Sequence, residues 1–260
     1  MGKAAVLLAV CLLCSGVAHG AIQEREVEYQ SGGLALKGLL AFDDARPGRR
    51  PAILVVHEWW GHDQHARNSA RQLAAAGYVA LAVDMYGEGR QAHHPRDAAK
   101  LLTEVRSNLP LMRARFEAAR DLLRSQPNVA ADRMGAIGYC FGGAVVLEMA
   151  RAGADLRGVV SLHGLLDTAI PAKPGVVKAQ ILVLTGGADP YVPKDQVDAF
   201  DREMRSAGAR YRIVVYPGVK HSFTNPAATE LGKQFDIPDE YNADADQKSW
   251  QEVLRFFRSL

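Results

Sequence analysis

The sequence predicts a single α/β domain with a mostly parallel central sheet and helices on both faces. Short continuous apolar runs recur along the chain, and stretches of helical periodicity separate most of them. No repeat, low-complexity linker or shift in composition marks a second domain. The 260 residues are 48% hydrophobic and 23% charged, which supplies a buried core and excludes disordered, collagen-like and coiled-coil proteins.

Residues 1–20 have the pattern of a secretory signal peptide. Lys3 provides a basic start, residues 4–13 form an apolar run, and small residues precede Ala21. The run is shorter than the roughly 20 residues that a membrane-spanning helix needs, and no later stretch approaches that length. We therefore expect export to the periplasm or the medium after cleavage near Gly20, and a mature domain of residues 21–260 without a membrane span.

The cysteines and the net charge narrow the classes of partner. Cys11 and Cys14 lie in the predicted signal peptide, and Leu13 is not the small residue that a lipoprotein signal places before its cysteine. Cys140 is then the only mature cysteine, so it is inert, paired with another molecule or used chemically. The formal charge of +2 gives no reason to expect a nucleic-acid partner.

The strands and helices follow from local patterns taken in chain order. Residues 25–41 predict an antiparallel hairpin at a sheet edge, because Val27 and Tyr29 alternate with charges before a Ser-Gly-Gly turn. Apolar runs predict strands buried on both faces at 52–56, 78–83, 134–137, 159–162, 181–184 and 213–215. Apolar residues at helical spacing predict helices around 66–73, 112–123, 144–150, 197–204 and 250–257. In such a sheet, ligands bind at the carboxyl ends of the strands.

The third of these buried runs leads into a sharp turn with a cysteine at its centre. Residues 138–143 read Gly-Tyr-Cys-Phe-Gly-Gly and connect the strand to the helical stretch that follows. A Gly-x-nucleophile-x-Gly sequence between strand and helix is typical of a nucleophile elbow. Free N–H groups at the helix start favour the reactive thiolate of Cys140. By itself the pattern fits equally well a small core residue beside glycines required for packing.

An acid and a histidine follow downstream in the order that an elbow enzyme requires. Asp189 lies in a turn after the strand at 181–184, and His221 follows the strand at 211–216. Taken singly, an aspartate before proline is usually an Asx turn, and a loop histidine usually has no catalytic role. Because three features each follow a separate predicted strand in this order, we predict a triad of Cys140, Asp189 and His221.

These motifs resemble the dienelactone hydrolase (carboxymethylenebutenolidase) family, a branch of the α/β-hydrolases with a cysteine nucleophile in a Gly-Tyr-Cys-x-Gly-Gly elbow. The resemblance extends to residues 57–61, 84–86, 187–193 and 218–223, and so covers nearly all of the mature chain. It implies that Glu58 interacts with the resting Cys140 and helps to activate it. It also implies an oxyanion hole formed by the backbone N–H groups of Trp59 and Phe141, which agrees with the geometry of an elbow.

The substrate-binding residues implied by the resemblance match less well. The family holds a substrate carboxylate with an arginine after its Asp-x-Tyr motif and with the serine after its histidine, which is Ser222 here. Gly87-Glu88-Gly89 intervenes before Arg90, so Arg90 reaches a substrate only through a longer loop. A related member has an arginine four residues after the histidine as a partner for the glutamate. That position is Asn225 here, so we expect Glu58 to be tuned differently.

Two further groups of residues have open interpretations. Aromatic and sulfur side chains near strand ends either line a pocket for substrate or belong to the core; they are Trp59, Trp60, Met85, Tyr86 and Tyr139. Among these, Tyr86 is included as a candidate substrate-binding residue. His57, His62, His65, His93 and His94 do not have the spacing of one helical face with a carboxylate, so no metal or other cofactor is expected.

The expected function is hydrolysis of a carboxylic ester, a lactone of the dienelactone type, through an acyl-thiol intermediate. The expected protein is a monomer that acts on a small molecule. One alternative is a broad thiol carboxylesterase for small esters, and another is a catalytically idle protein that binds small molecules. A redox sensor would need a resolving thiol that the mature chain lacks.

Overall fold

Eight strands and seven helices make up residues 21–260, the part of the chain that this computed structural model describes. The predicted signal peptide, with Cys11 and Cys14, lies outside the described residues. The strands are β1 (Ile22–Ser31), β2 (Leu34–Asp43), β3 (Arg50–Val56), β4 (Val79–Val83), β5 (Val129–Tyr139), β6 (Gly158–Leu162), β7 (Gln180–Gly186) and β8 (Tyr211–Tyr216). The helices are α1 (Gln64–Ala75), α2 (Pro95–Arg106), α3 (Leu109–Arg124), α4 (Phe141–Arg151), α5 (Lys194–Ala207), α6 (Ala228–Phe235) and α7 (Ala243–Arg258).

All eight strands join one sheet in the order β1-β2-β4-β3-β5-β6-β7-β8. The β1–β2 and β2–β4 pairs are antiparallel, and every other pair is parallel. The predicted hairpin at a sheet edge and the predicted mostly parallel sheet are therefore both confirmed. The hairpin closes tightly, since Ser31 pairs with Leu34 across the Gly32-Gly33 turn.

The apolar runs are explained by helices that cover both faces of the sheet. Along β3, Ala52, Leu54 and Val56 pack in one core cluster together with residues of α3, α4 and α5. The alternate residues Ile53 and Val55 pack in a second cluster with residues of α1 and α7. Because successive side chains of a strand point to opposite faces, a strand covered on both faces must be apolar throughout.

Three details differ from the sequence predictions. The run at 213–215 was predicted to be buried on both faces, which is wrong: β8 is an edge strand, and Val215 is 46% exposed. Neither α2 nor α6 was predicted, although Ala98, Leu101, Leu102 and Val105 of α2 have the spacing of an amphipathic helix; α6 has only eight residues and buries two. Within residues 21–260, no helix is both long enough and apolar enough to cross a bilayer.

The sheet order brings the candidate residues to one edge. Strands β3, β5, β6, β7 and β8 run parallel, so their carboxyl ends lie side by side. The segments that follow them contain Glu58, Cys140, His163, Asp189 and His221, respectively. These five side chains therefore surround one region at the carboxyl edge of the sheet.

Candidate active site

Cys140 lies at the turn between β5 and α4 in a strained backbone conformation. Its φ of 50° and ψ of −114° lie outside the regions that non-glycine residues favour. Glycine is required around it: a Cβ atom on Gly138 would lie 2.0 Å from the Gly142 carbonyl oxygen, and one on Gly142 would lie 2.2 Å from the Val56 carbonyl oxygen. The close packing of this turn against β3 therefore holds Cys140 at the start of α4.

Asp189 and His221 meet behind the cysteine. The Asp189 Oδ2 atom lies 2.7 Å from His221 Nδ1, and both residues are buried. Burial of His221 opposes a charged imidazole ring. The negative charge of Cys140 and the hydrogen bonds to Asp189 and Cys140 outweigh burial, and they raise the pKa of His221 well above its usual value. The arrangement therefore favours a protonated imidazole ring beside Cys140 at neutral pH.

Two backbone N–H groups near Cys140 are available to a ligand. The Gly142 N–H donates to the His57 carbonyl at 3.0 Å, which docks the loop after β3 onto the start of α4. Neither the Trp59 N–H nor the Phe141 N–H donates to another residue of the described chain. The loop and the helix start therefore each leave one backbone donor free in the described part of the chain.

Tyr86 lies beneath this pair of donors instead of lining a cavity. It is 0% exposed, its hydroxyl donates to the Trp59 carbonyl at 3.0 Å, and its ring stacks on that of Phe141 with centroids 5.6 Å apart. Trp60, Met85 and Tyr139 are also buried, whereas Trp59 lines the cavity that contains Cys140. The structure therefore places Tyr86 where it supports the Trp59 backbone, and not where it would contact substrate.

Replacing Tyr86 by phenylalanine is expected to lower kcat for ester hydrolysis about threefold to tenfold, with KM nearly unchanged. The change removes the one hydroxyl that holds the Trp59 carbonyl while the ring packing remains. Steady-state kinetics and a thermal melt measure the effect on catalysis and on stability. A rise in KM at constant kcat would show instead that Tyr86 contacts the bound substrate.

Glu58 is buried among partners that carry no permanent charge. Its Oε2 accepts a hydrogen bond from Asn225 Nδ2 and lies 3.5 Å from His65 Nδ1. Burial raises the pKa of Glu58 to about 7, although the hydrogen bond from Asn225 lowers it. An arginine would add a positive charge at this point, whereas the amide of Asn225 does not. Among the described residues, no hydrogen bond joins Glu58 to Cys140.

The structure does not bring Arg90 to Ser222. The Arg90 guanidinium donates to the Tyr86 and Gly87 carbonyl oxygens and lies 3.7 Å from Glu104, outside the Cys140 cavity. Residues 87–89 all adopt positive φ, of 92°, 58° and 68°, so the longer loop folds the arginine back on its own backbone. Ser222 is buried, and its hydroxyl donates to Asp239 Oδ2 at 3.1 Å.

The cavity above Cys140 has a volume of about 220 Å³. Its lining is mostly apolar, with a few charged groups; the residues are Trp59, Ala99, Leu102, Thr103, Arg106, Cys140, Leu165, Tyr191, His221 and Asp239. The Tyr191 ring packs edge-on against His221, with centroids 4.9 Å apart. Sequence reasoning did not identify Asp239 or single out Tyr191. Asp239 does not follow an apolar run that would predict a strand. An isolated β-bridge between the backbones of Asp239 and His221 brings it to the site.

His163 is a further residue that the sequence reasoning missed. It directly follows β6, and its Nδ1 accepts a hydrogen bond from the Cys140 N–H at 3.1 Å. Because Nδ1 accepts, the ring proton lies on Nε2, which is 2.8 Å from Thr224 Oγ1. Burial lowers the pKa of His163 well below its usual value, so the ring stays neutral. Its position at a strand end, like that of His221, was the signal that could have identified it.

The other histidines after β3 are bonded to the backbone. The His57 ring lies within hydrogen-bond distance of the Glu58 carbonyl, the His62 ring of the Ala82 carbonyl and the His65 ring of the Thr224 carbonyl. In residues 21–260, no group of three or more His, Cys, Asp and Glu side chains is arranged to hold a metal ion.

Comparisons with known proteins identify the family to which this chain is similar. Residues 36–260 match the dienelactone hydrolase family. Protein usf from Aquifex pyrophilus is 30% identical over 238 residues, covering 89% of this chain and 96% of that protein. A dienelactone hydrolase-like promiscuous phosphotriesterase from metagenomic libraries is 34% identical with a TM-score of 0.86, and covers 93% of this chain and 99% of that one. The structure of m3DLH is 35% identical with a TM-score of 0.87, and the match covers 92% of this chain and 99% of that one. Because the family match spans most of the chain and these structures share its architecture, the chain has the α/β-hydrolase fold and belongs to the dienelactone hydrolase family.

Proposed function

We propose that this protein hydrolyses carboxylic esters or lactones through an acyl-thiol intermediate on Cys140. Membership of the family makes it a hydrolase that acts on lactone or ester-type bonds. The observation that carries the finer proposal is the position of His221, which is hydrogen-bonded to Asp189 and shares a cavity with Cys140. A cysteine at a strained elbow, with a histidine oriented by a buried carboxylate, has the arrangement of a nucleophile and its base.

In the acylation step, the Cys140 sulfur attacks the ester carbonyl carbon and forms the C–S bond. The carbonyl π electrons move to oxygen, and the N–H groups of Trp59 and Phe141 stabilise this oxyanion. When the tetrahedral intermediate collapses, the C–O bond to the alcohol breaks, and the His221 imidazolium donates its proton to the leaving oxygen. The alcohol is released, or remains attached to the acyl chain if the substrate is a lactone.

Deacylation reverses these roles with water as the nucleophile. Neutral His221 takes a proton from water while the oxygen attacks the thioester carbonyl carbon. Collapse of the second intermediate breaks the C–S bond, releases the carboxylic acid product and restores the thiolate beside the imidazolium. Asp189 orients His221 throughout, because it holds Nδ1 and leaves Nε2 directed to the reacting groups.

Glu58 is proposed to assist the activation of Cys140. With its pKa raised to about 7, this carboxyl group exchanges a proton near neutral pH, which an ordinary exposed glutamate does not. Asn225 holds one oxygen, while the other, Oε1, has no hydrogen-bond donor among the described residues. When substrate binds in the adjacent cavity, the thiol proton of resting Cys140 passes to Oε1, so that Cys140 enters the acylation step as a thiolate. Release of the product returns this proton to the sulfur.

A broad preference for small neutral esters is the second candidate function. The position of Arg90 favours it, because a dienelactone carries a carboxylate and the Arg90 guanidinium lies outside the Cys140 cavity. The two candidates share the chemistry at Cys140 and differ in the charge of the substrate.

The proposed function is tested with a dienelactone and a neutral aryl acetate in parallel. We expect Cys140-dependent hydrolysis of at least one of them, and acid-quenched enzyme should carry one acyl group on the peptide that contains Cys140. Mass spectrometry of the wild type and of Cys140→Ala makes the comparison. Absence of turnover on both esters, or turnover that survives in Cys140→Ala, would support the idle binding protein or a different nucleophile.

A further inference from the structure

The cavity above Cys140 contains one carboxylate that the proposed reaction does not use, that of Asp239. This residue is 7% exposed and lines the cavity with Cys140 and His221. Ser222 donates a hydrogen bond to Oδ2 at 3.1 Å, and no residue of the described chain donates to Oδ1. One carboxylate oxygen of Asp239 is therefore free to interact with a bound molecule.

The charge of His221 offsets this carboxylate only in part, because burial is the larger effect and raises the pKa of Asp239. Arg106 also lines the cavity, but its guanidinium donates to both oxygens of Asp167, at 2.7 and 2.8 Å. Arg90 is bonded to its own loop. In residues 21–260, no lysine or arginine forms an ion pair with Asp239. The His221 imidazolium also faces Asp189 and Cys140, so its single positive charge does not neutralise all three groups.

The hydroxyl of Ser222, which was expected to bind a substrate carboxylate, is already hydrogen-bonded within the protein. Ser222 donates its only hydroxyl proton to Asp239, so this proton is not available to a substrate anion. A carboxylate placed in this mostly apolar cavity would instead face a second carboxylate, and the two like charges would repel each other.

Resting on the proposed ester hydrolysis, we propose that Asp239 is a specificity-determining residue that selects neutral and cationic esters against esters that carry a carboxylate. An ammonium group would be attracted to the free Oδ1 of Asp239 and to the aromatic faces of Trp59 and Tyr191, which line the same cavity. The selection is electrostatic and acts by repelling substrates that carry a negative charge.

The test uses two sets of probes that differ in charge but little in shape. The esters are methyl 4-acetoxybenzoate (neutral), 4-acetoxybenzoate (anionic) and 4-(trimethylammonio)phenyl acetate (cationic). The alkylating reagents are iodoacetamide (neutral) and iodoacetate (anionic), which report the charge preference at Cys140 without requiring turnover. Burial raises the pKa of Asp239, so the measurements are made at mildly alkaline pH, where the carboxylate is charged.

For the wild type we expect the cationic and neutral esters to have the higher kcat/KM, and iodoacetamide to alkylate Cys140 faster than iodoacetate after each rate is divided by that of a free thiol. In Asp239→Asn, kcat/KM for the anionic ester relative to the neutral ester should rise about tenfold to 100-fold. The rate of alkylation by iodoacetate relative to iodoacetamide should rise by a similar factor. Asp239→Glu keeps the charge and should keep the wild-type order. The matched control is Asp236→Asn, an exposed aspartate on the same loop with φ of 53°, a conformation that asparagine tolerates.

An unchanged ratio in folded Asp239→Asn, or a wild-type preference for the anionic probes, would overturn the proposal. If Asp239→Asn does not fold, the normalised wild-type ratio and the Asp239→Glu variant decide instead. If no ester is hydrolysed while the alkylation ratios still depend on Asp239, the proposed function fails and the charge selection by Asp239 stands.

Discussion

Replacing Cys140 by alanine is expected to lower kcat/KM for ester hydrolysis by roughly 10⁴-fold or more. The change removes the only sulfur nucleophile of residues 21–260 and leaves His221, Asp189 and the two backbone donors in place. The residual rate would report what the oxyanion donors and the cavity contribute without covalent catalysis. Initial rates on a neutral aryl acetate, corrected for the uncatalysed reaction, provide the measurement.

The fold should tolerate this substitution. Alanine and cysteine meet the same backbone strain at φ of 50°, and the smaller side chain creates no clash. A circular dichroism spectrum and a thermal melt close to those of the wild type would therefore accompany the loss of activity. Retention of more than about a tenth of the wild-type rate in a folded variant would contradict the assignment of Cys140 as the nucleophile.

Replacing His221 by glutamine is expected to lower kcat/KM by roughly 10³- to 10⁴-fold. Glutamine fills similar space but neither takes nor delivers a proton in the relevant pH range, so both the leaving alcohol and the attacking water lose their proton carrier. Cys140 also loses the cation that stabilises its thiolate. Alkylation of Cys140 by iodoacetamide near neutral pH should therefore slow together with ester hydrolysis.

The pKa of His221 gives this prediction a second readout. It is raised because the charge of Cys140 and the hydrogen bonds to Asp189 and Cys140 outweigh burial. A raised pKa means that the ring keeps its proton at neutral pH and loses it only as the pH rises through that pKa. In Cys140→Ala one of these charges is absent, so the pKa of His221 should fall. A ¹⁵N NMR titration of the imidazole in both proteins measures the difference.

His93→Gln is the matched control for the histidine substitution, since His93 is exposed and lies outside the Cys140 cavity. It should leave hydrolysis and the rate of Cys140 alkylation unchanged. If His221→Gln were to retain wild-type hydrolysis, or if the His221 ring titrated identically in wild type and Cys140→Ala, the proposed thiolate–imidazolium pair would be wrong.

Much of the fold was predictable because its determinants are local in the sequence. Apolar runs such as 52–56 and 181–184 must be covered on both faces, and that requirement leads to a parallel sheet with two helical layers. The prediction that β8 is buried on both faces was wrong because burial of a strand depends on its place in the sheet. An edge strand and a central strand can have the same apolar run, and only the strand pairing distinguishes them.

The candidate nucleophile, acid and histidine were predictable for a related reason. Each lies directly after a strand, and parallel strands bring their carboxyl ends to one edge whatever the details of the loops. The glycines at 138 and 142 marked the elbow in the sequence, and the structure adds the steric reason, since a Cβ atom at either position would meet the backbone.

Strand periodicity and a tight glycine turn are short-range properties of the chain, so local patterns were enough to predict the layered α/β domain and the grouping of Cys140, Asp189 and His221. The charge of the cavity, in contrast, follows from contacts that exist only in the folded chain. Arg90 turns away through three consecutive residues with positive φ, whereas Asp239 lies in the loop after α6, the helix that separates it from β8. Loop paths of this kind depend on long-range packing, which no local pattern records, and they decide which charges a substrate meets.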